Sequence, residues 1–234
     1  MPRLLNLTLP AKNPGRLAKF YRYVFDLETV HQSDTSIALS DGVFNLSLIS
    51  IPSQDPLGFY FMGFHVEDNE SAREGLGESC ARVPRLGNSP RTDVLLSDPD
   101  GNLLELAEER YGVTDQKTPF PIRHIALYTP NPQILCDFYG RVCGMEPVAH
   151  TDRSSIFVSD GYFNLALLFQ RTEEKIGLNH FGFQVNSNEE IRRLAEKAGV
   201  SSGSRRPDRI PYAEYRVHDP EGNGIDISEK GWEV

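Results

Sequence analysis

An internal repeat constrains this chain more than any other feature of its sequence. NLTLPAKNP at residues 6–14 lies over HIALYTPNP at 124–132, a shift of 118. SDGVFNLSL at 40–48 lies over SDGYFNLAL at 159–167, a shift of 119. DPDGN at 98–102 lies over DPEGN at 219–223, a shift of 121. The small drift marks loop insertions, while the order of motifs is kept along the whole length. Arg110 to Pro121 is charged, holds Gly112 and two prolines, and reads as a linker.

Each copy divides again into two similar halves. In the third quarter, Ile125 and Leu127 alternate with His124, Ala126 and Tyr128, the period of a strand. Asn131-Pro132 then sets an N-cap and a first helical residue. Leu135, Phe138, Tyr139 and Val142 follow at helical spacing, as do Leu17, Phe20, Tyr21 and Val24 after Asn13-Pro14. Strands are expected at Ile156 to Ser159 and Phe163 to Phe169, joined by the Asp160-Gly161 turn. The fourth quarter repeats the plan. Phe181, Phe183 and Val185 alternate with polar or small residues, and Ser187 to Glu190 forms a capping box. Ile191, Leu194, Ala195 and Ala198 make the helical stripe, and Gly199 stops it. Strands near Tyr212–His218 and Gly224–Ser228 flank the DPEGN turn. In the second quarter, Gly75 and Gly77 weaken the helix expected over Asp68 to Gly77. The pattern predicts an α+β chain of four β-α-β-β-β units. These pair into two tandem domains, residues 1–112 and 120–234, each a curved mixed sheet with helices on the convex side.

Composition removes some functions. A net charge of −9 argues against nucleic-acid binding, which needs a basic surface. No apolar run approaches the roughly 20 residues that span a bilayer, so no membrane partner is expected. Cys80, Cys136 and Cys143 form no CxxC pair, and a reducing, cytoplasmic setting is the simplest expectation. There is no GxSxG, P-loop or GxGxxG motif. DPDGN is not a calcium loop, because its glycine comes too early.

The strand faces turned away from the helices carry the chemistry. In the second copy they present His124, His180 and Asp226 at strand positions that correspond between half-units. A lone strand histidine is usually plain surface. Two imidazoles and a carboxylate form a ligand set for a divalent ion with open coordination positions. The set is typical of non-haem Fe(II), with Mn, Co, Ni and Zn also compatible with N,N,O ligation. The corresponding residues of the first copy are Asn6, Phe61 and Glu105, so that copy is expected to be non-catalytic.

The four β-α-β-β-β units, the strand-start histidines and the DPDGN/DPEGN turn before a carboxylate resemble the vicinal oxygen chelate superfamily. That group includes glyoxalase I, bleomycin-resistance proteins and extradiol ring-cleavage dioxygenases. The resemblance covers nearly the whole chain. A His, His, carboxylate set confined to the C-terminal pair is most similar to the extradiol layout. It implies that His124, His180 and Asp226 hold Fe(II) or Mn(II), around which a small substrate chelates through vicinal oxygens. Three features differ from that family: Asp226 stands for the usual Glu, Arg216 stands in register with the usual Tyr, and no histidine lies between Thr151 and Asn179 to match the family's second-sphere one. Tyr215, one place away, and His218 are the candidate catalytic side chains.

Ser204 to Tyr215 is basic in an acidic chain. Arg205, Arg206 and Arg209, with Tyr212 and Arg216, are expected to bind an anionic part of the substrate, since guanidinium groups suit carboxylate and phosphate. The sequence thus predicts a metal-dependent dioxygenase or lyase acting on a small molecule, and leaves homo-oligomer formation open. The rival reading is metal-free small-molecule binding, as in bleomycin-resistance proteins.

Overall fold

The structure, a computed structural model, describes residues 3–51, 61–68, 94–108, 118–150, 154–171, 173–208 and 210–234. Most of the expected linker and of the helix expected at Asp68 to Gly77 lies outside these, as do Cys80 and Arg209.

Two mixed sheets account for the repeat. The first is built from β1 (Arg3–Ala11), β2 (Glu28–Gln32), β3 (Ser36–Ser40), β4 (Asn45–Ser50), β5 (Phe61–His65), β6 (Val94–Ser97) and β7 (Leu103–Ala107). Its order is β2-β3-β4-β1-β5-β7-β6. The second is built from β8 (Ile122–Thr129), β9 (Glu146–His150), β10 (Ile156–Ser159), β11 (Asn164–Phe169), β12 (Gly177–Gln184), β13 (Ser204–Arg205), β14 (Tyr215–His218) and β15 (Gly224–Ser228). Its order is β13-β14-β15-β12-β8-β11-β10-β9. In each sheet the two half-units meet along one antiparallel seam, β1 with β5 and β8 with β12. The α+β fold and its doubling therefore follow the sequence reading. The strands at Glu146–His150 and Ser204–Arg205 fill the places in the β-α-β-β-β plan that the sequence had not located.

Three helices are described: α1 (Pro14–Phe25), α2 (Pro132–Cys143) and α3 (Asn188–Lys197). Their starts are chemical. Asn13 Oδ1 accepts from Arg16 N, Asn131 Oδ1 from Ile134 N, and Ser187 Oγ from Glu190 N. Their apolar stripes face inward, and Leu17, Leu135 and Ile191 join strand residues of both sheets in one continuous core. None of these helices is long and apolar enough to cross a membrane.

The repeat motifs turn out to join the copies reciprocally. Tyr21 on α1 donates to Asp219 Oδ2 in the second copy (2.6 Å), and its counterpart Tyr139 on α2 donates to Asp98 Oδ2 in the first (2.8 Å). Asp41 Oδ2 accepts from Ile122 N, and its counterpart Asp160 Oδ2 accepts from Leu4 N. Phe44 stacks on its own counterpart Phe163, with centroids 4.8 Å apart. Equivalent residues swapping partners, with one equivalent pair in self-contact, is the mark of an isologous, two-fold-like junction. It also explains the DPxGN turns. Asp98 and Asp219 each accept two backbone N–H groups of their own turn and a side-chain amide, of Asn102 or Asn223, and then receive the tyrosine across the junction.

Candidate functional site

The face of the second sheet opposite the core carries a single lateral row. Strand registers place Asn164 beside His124, His124 beside Gly182, Gly182 beside Asp226, and Asp226 beside Arg216. Laterally paired residues point to the same face, while their chain neighbours point to the other. Accordingly Ile125, Phe181, Phe183, Val217, Ile225 and Ile227 sit in the core. His180 lies two residues before Gly182 on β12, on the row's side of the sheet.

These side chains converge. His124 Nε2 is 3.3 Å from His180 Nε2, and His180 Nε2 is 3.1 Å from Asp226 Oδ2. All three residues are buried, at 3%, 5% and 1% exposure. Burial is the main cause that pushes His124 down to about 3, with His180 adding to it. Burial likewise lowers His180, against the opposing pull of Asp226. For Asp226, burial works upward, but His180 and the Arg216 guanidinium outweigh it and hold the carboxylate below its ordinary range. Near pH 7 the set is therefore two neutral imidazoles and one carboxylate.

Hydrogen bonding decides which imidazole nitrogen faces inward. Asn164 Nδ2 donates to the Glu233 carbonyl (2.7 Å), which turns Asn164 Oδ1 toward His124 Nδ1 (2.8 Å). An amide oxygen only accepts, so the His124 proton sits on Nδ1 and Nε2 carries a lone pair. Asn179 presents its Oδ1 to His180 Nδ1 at 2.5 Å, which favours the same tautomer for His180. With both protons on Nδ1, His124 Nε2, His180 Nε2 and Asp226 Oδ2 face one another as acceptors, His180 Nε2 lying 3.3 Å from His124 Nε2 and 3.1 Å from Asp226 Oδ2. Their chemistry fits a cation with N,N,O ligands. Among the described residues no group of three or more His, Cys, Asp or Glu side chains is placed so as to hold a metal ion as it stands. In this structure the carboxylate is instead turned toward guanidinium groups. Arg216 Nε bonds Asp226 Oδ1 at 2.5 Å, and Arg206 Nε lies 3.5 Å from Asp226 Oδ2.

Beside these polar groups the face carries an apolar patch. Ala126, Phe157 and Ala166 form a small buried patch, bordered by Val148, Leu168 and Tyr212. Tyr212 meets Phe157 edge to face and donates to Glu233 Oε2. Trp232 stacks on His124, with centroids 5.0 Å apart and ring planes 8° apart.

The structure thus brings His124, His180, Asp226, Arg216 and Arg206 together, with Tyr212 at the edge. It separates three other expected residues from them. Tyr215 is on the core side, beneath the Arg192 guanidinium, because β14 alternates and Arg216 holds the site face. His218 is exposed at the end of β14. Arg205 forms an exposed pair with Asp208, held outward by the short β13–β14 ladder. Tyr215, His218 and Arg205 are therefore corrected from site residues to peripheral ones, and Arg209 is outside the described residues. Sequence reasoning missed Asn164, Asn179, Trp232 and Glu233. Asn164 did carry a signal, as the invariant end of the repeated SDGxFN motif, and Trp232 is the chain's single tryptophan.

The first sheet repeats the row as Asn45, Asn6, Gly63, Glu105 and Leu95. There Asn6 satisfies itself locally, donating to Thr8 Oγ1 and accepting from Ser47 Oγ. Phe61, in the place of His180, packs with Leu103.

Residues 122–227 match the model of the Glyoxalase/Bleomycin resistance protein/Dioxygenase superfamily. The whole chain is similar in structure to the 2,3-dioxygenase LapB from Pseudomonas sp. KL28, with a TM-score of 0.75 and 20% identity, over 99% of this chain and 93% of that one. It is also similar to the Mn(II)-bound glyoxalase from Novosphingobium aromaticivorans, with a TM-score of 0.76 and 17% identity, over 100% and 85%. An extradiol ring-cleaving dioxygenase from B.fuscum gives 0.74 and 17%, over 98% and 72%. Sequence comparison finds no match among curated proteins.

Proposed function

Residues 122–227 match the model of the Glyoxalase/Bleomycin resistance protein/Dioxygenase superfamily, and from that match we propose that this chain is a metal-dependent enzyme of that superfamily acting on a small anionic substrate through vicinal oxygens. The observation that carries the reading is the set of three facing acceptors, His124 Nε2, His180 Nε2 and Asp226 Oδ2. Two imidazole lone pairs at 3.3 Å repel each other unless a cation or a proton lies between them. Fe(II) or Mn(II) suits this donor set best, with Zn(II), Co(II) and Ni(II) as alternatives. Such an ion would supply Lewis acidity toward a chelated substrate.

The chain's own groups set the rest. Asn164 and Asn179 hold the imidazoles with Nε2 inward. Arg216 holds Asp226 through Oδ1, which leaves Oδ2 on the histidine side. Arg216 Nη2 is buried and makes no hydrogen bond among the described residues. A buried N–H left without a partner costs about 1–3 kcal/mol, and an anionic substrate oxygen would recover it. Two guanidinium groups against one carboxylate give the site an excess of positive charge, which favours that anion. The patch of Ala126, Phe157 and Ala166 offers an apolar wall suited to a ring or alkyl part. Ring cleavage of the extradiol type and glyoxalase-type lyase or isomerase chemistry both fit this arrangement. Arg216 is a poor proton donor and favours reactions that develop an oxyanion.

A second reading has its own observation. Arg216 and Arg206 already neutralise Asp226, as they would in a protein that binds an anion without metal. Calorimetric titration of the metal-free protein with Fe(II), Mn(II) and Zn(II) separates the two. The proposal expects one ion per chain and loss of at least tenfold in affinity in His124→Ala and in Asp226→Asn. If wild type binds no ion more tightly than His124→Ala, the metal-free reading replaces it.

A further inference from the structure

Gly231, Trp232 and Glu233, in the segment that follows β15, are each tied to the site or its border. Gly231 N donates to Ser228 Oγ at 3.0 Å, and Ser228 Oγ donates in turn to the Tyr212 carbonyl. Gly231 has φ +78, and a Cβ there would lie 2.9 Å from Gln184 Nε2, so the turn needs glycine. Trp232 then lies flat on His124, only 8% exposed. Its ring occupies the gap that Gly182 leaves in the lateral row, because a Cβ on Gly182 would stand 2.6 Å from the Trp232 ring. Glu233 follows with both its ends engaged: its carboxylate accepts from Tyr212, and its backbone carbonyl accepts from Asn164.

We propose that Gly231–Glu233 is a positioning strap for His124. The Glu233 carbonyl orients the Asn164 amide, Asn164 keeps the imidazole proton on Nδ1, and Trp232 holds the ring plane, so that Nε2 presents its lone pair inward. Without the carbonyl, the Asn164 amide is free to turn over and offer an N–H to Nδ1. That turn would move the proton to Nε2 and close the position to any ion. The first copy shows the contrast. Asn6 stands where His124 does and takes its partners from Thr8 and Ser47, within its own sheet.

The functional weight of the strap rests on the reading of His124 as an ion-holding residue, but its structural effect is measurable without any ion. Long-range 15N–1H NMR on metal-free, 15N-histidine-labelled full-length protein reports the His124 tautomer. Wild type is expected to show Nδ1–H, with a bare Nε2. Asn164→Ala and Trp232→Ala are expected to populate the Nε2–H form, and Trp232→Phe to keep the wild-type form. Since Trp232 is the chain's one tryptophan, its fluorescence reports Co(II) added to the same protein. Co(II) should quench wild type, and by calorimetry Asn164→Ala and Trp232→Ala should bind it about 10- to 100-fold more weakly, the usual effect of losing a group that orients a ligand. A His124 tautomer unchanged in Asn164→Ala overturns the strap, and that variant suffices if Trp232→Ala does not fold. A wild type that shows Nδ1–H, loses it in Asn164→Ala, and binds no Co(II) keeps the strap while removing the metal reading.

Discussion

Tyr21→Phe should destabilise the second copy of the repeat, although Tyr21 lies in the first. The substitution removes one atom, the hydroxyl that donates to Asp219 Oδ2 at 2.6 Å across 198 positions of chain. Tyr21 is fully buried, so no water replaces the lost bond. Hydrogen bonds to charged acceptors contribute about 1.5–3 kcal/mol. Asp219 keeps two backbone N–H groups and the Asn223 amide, which places the expected cost near the lower end, about 2 kcal/mol. Tyr139→Phe removes the matching bond to Asp98, with the same expected cost. The two bonds share no partner, so the double variant should lose about 4 kcal/mol. Tyr23→Phe, on an exposed ring of the same helix, is the control and should stay within about 0.5 kcal/mol. The assay is equilibrium unfolding in urea, followed by far-UV circular dichroism and by Trp232 fluorescence, a probe confined to the second copy. One continuous core predicts coincident transitions by both probes. The reasoning is refuted if Tyr21→Phe shifts the ellipticity transition and leaves the Trp232 transition in place, or if it costs no more than the Tyr23 control.

Two further outcomes follow from the site. Burial lowers His124 to about 3 in the folded chain against 6.5 for the free side chain, so the unfolded state takes up a proton first as pH falls. Its contribution is fully present above about pH 6.5 and is lost as pH drops toward 3. It amounts to about 2–3 kcal/mol between pH 7 and 4.5 in the metal-free protein. His124→Gln should flatten the stability profile over that window, and equal slopes for the two proteins would contradict the assignment. Gly182→Ala should cost about 1–3 kcal/mol and red-shift Trp232 emission, because the new Cβ would overlap the indole. Gly161→Ala, where nothing lies within 4 Å, should leave the emission unchanged.

What the sequence determined is local or periodic. The caps at Asn13, Asn131 and Ser187 are read from neighbouring residues, and the structure has each where the sequence placed it. Strand alternation has period two, so it already put His124, His180 and Asp226 on the face opposite Ile125, Phe181 and Ile225. The same parity separated Arg216 from Tyr215, and the naming of Tyr215 as catalytic ran against it. Tertiary structure decided what lies sideways. Period two fixes a face along one strand, but the register between strands 40 or more residues apart is set by the core beneath them. That register alone sets Asn164 beside His124 and Gly182 between the histidine and the carboxylate, whereas Arg216 and Asp226 are brought opposite each other by the local DPEGN hairpin. It also gave the DPxGN and SDGxFN motifs a purpose their spacing did not reveal. Local turn chemistry accounts for their form, and only the packing of one copy against the other shows Asp98, Asp219, Asp41 and Asp160 as acceptors for the opposite copy.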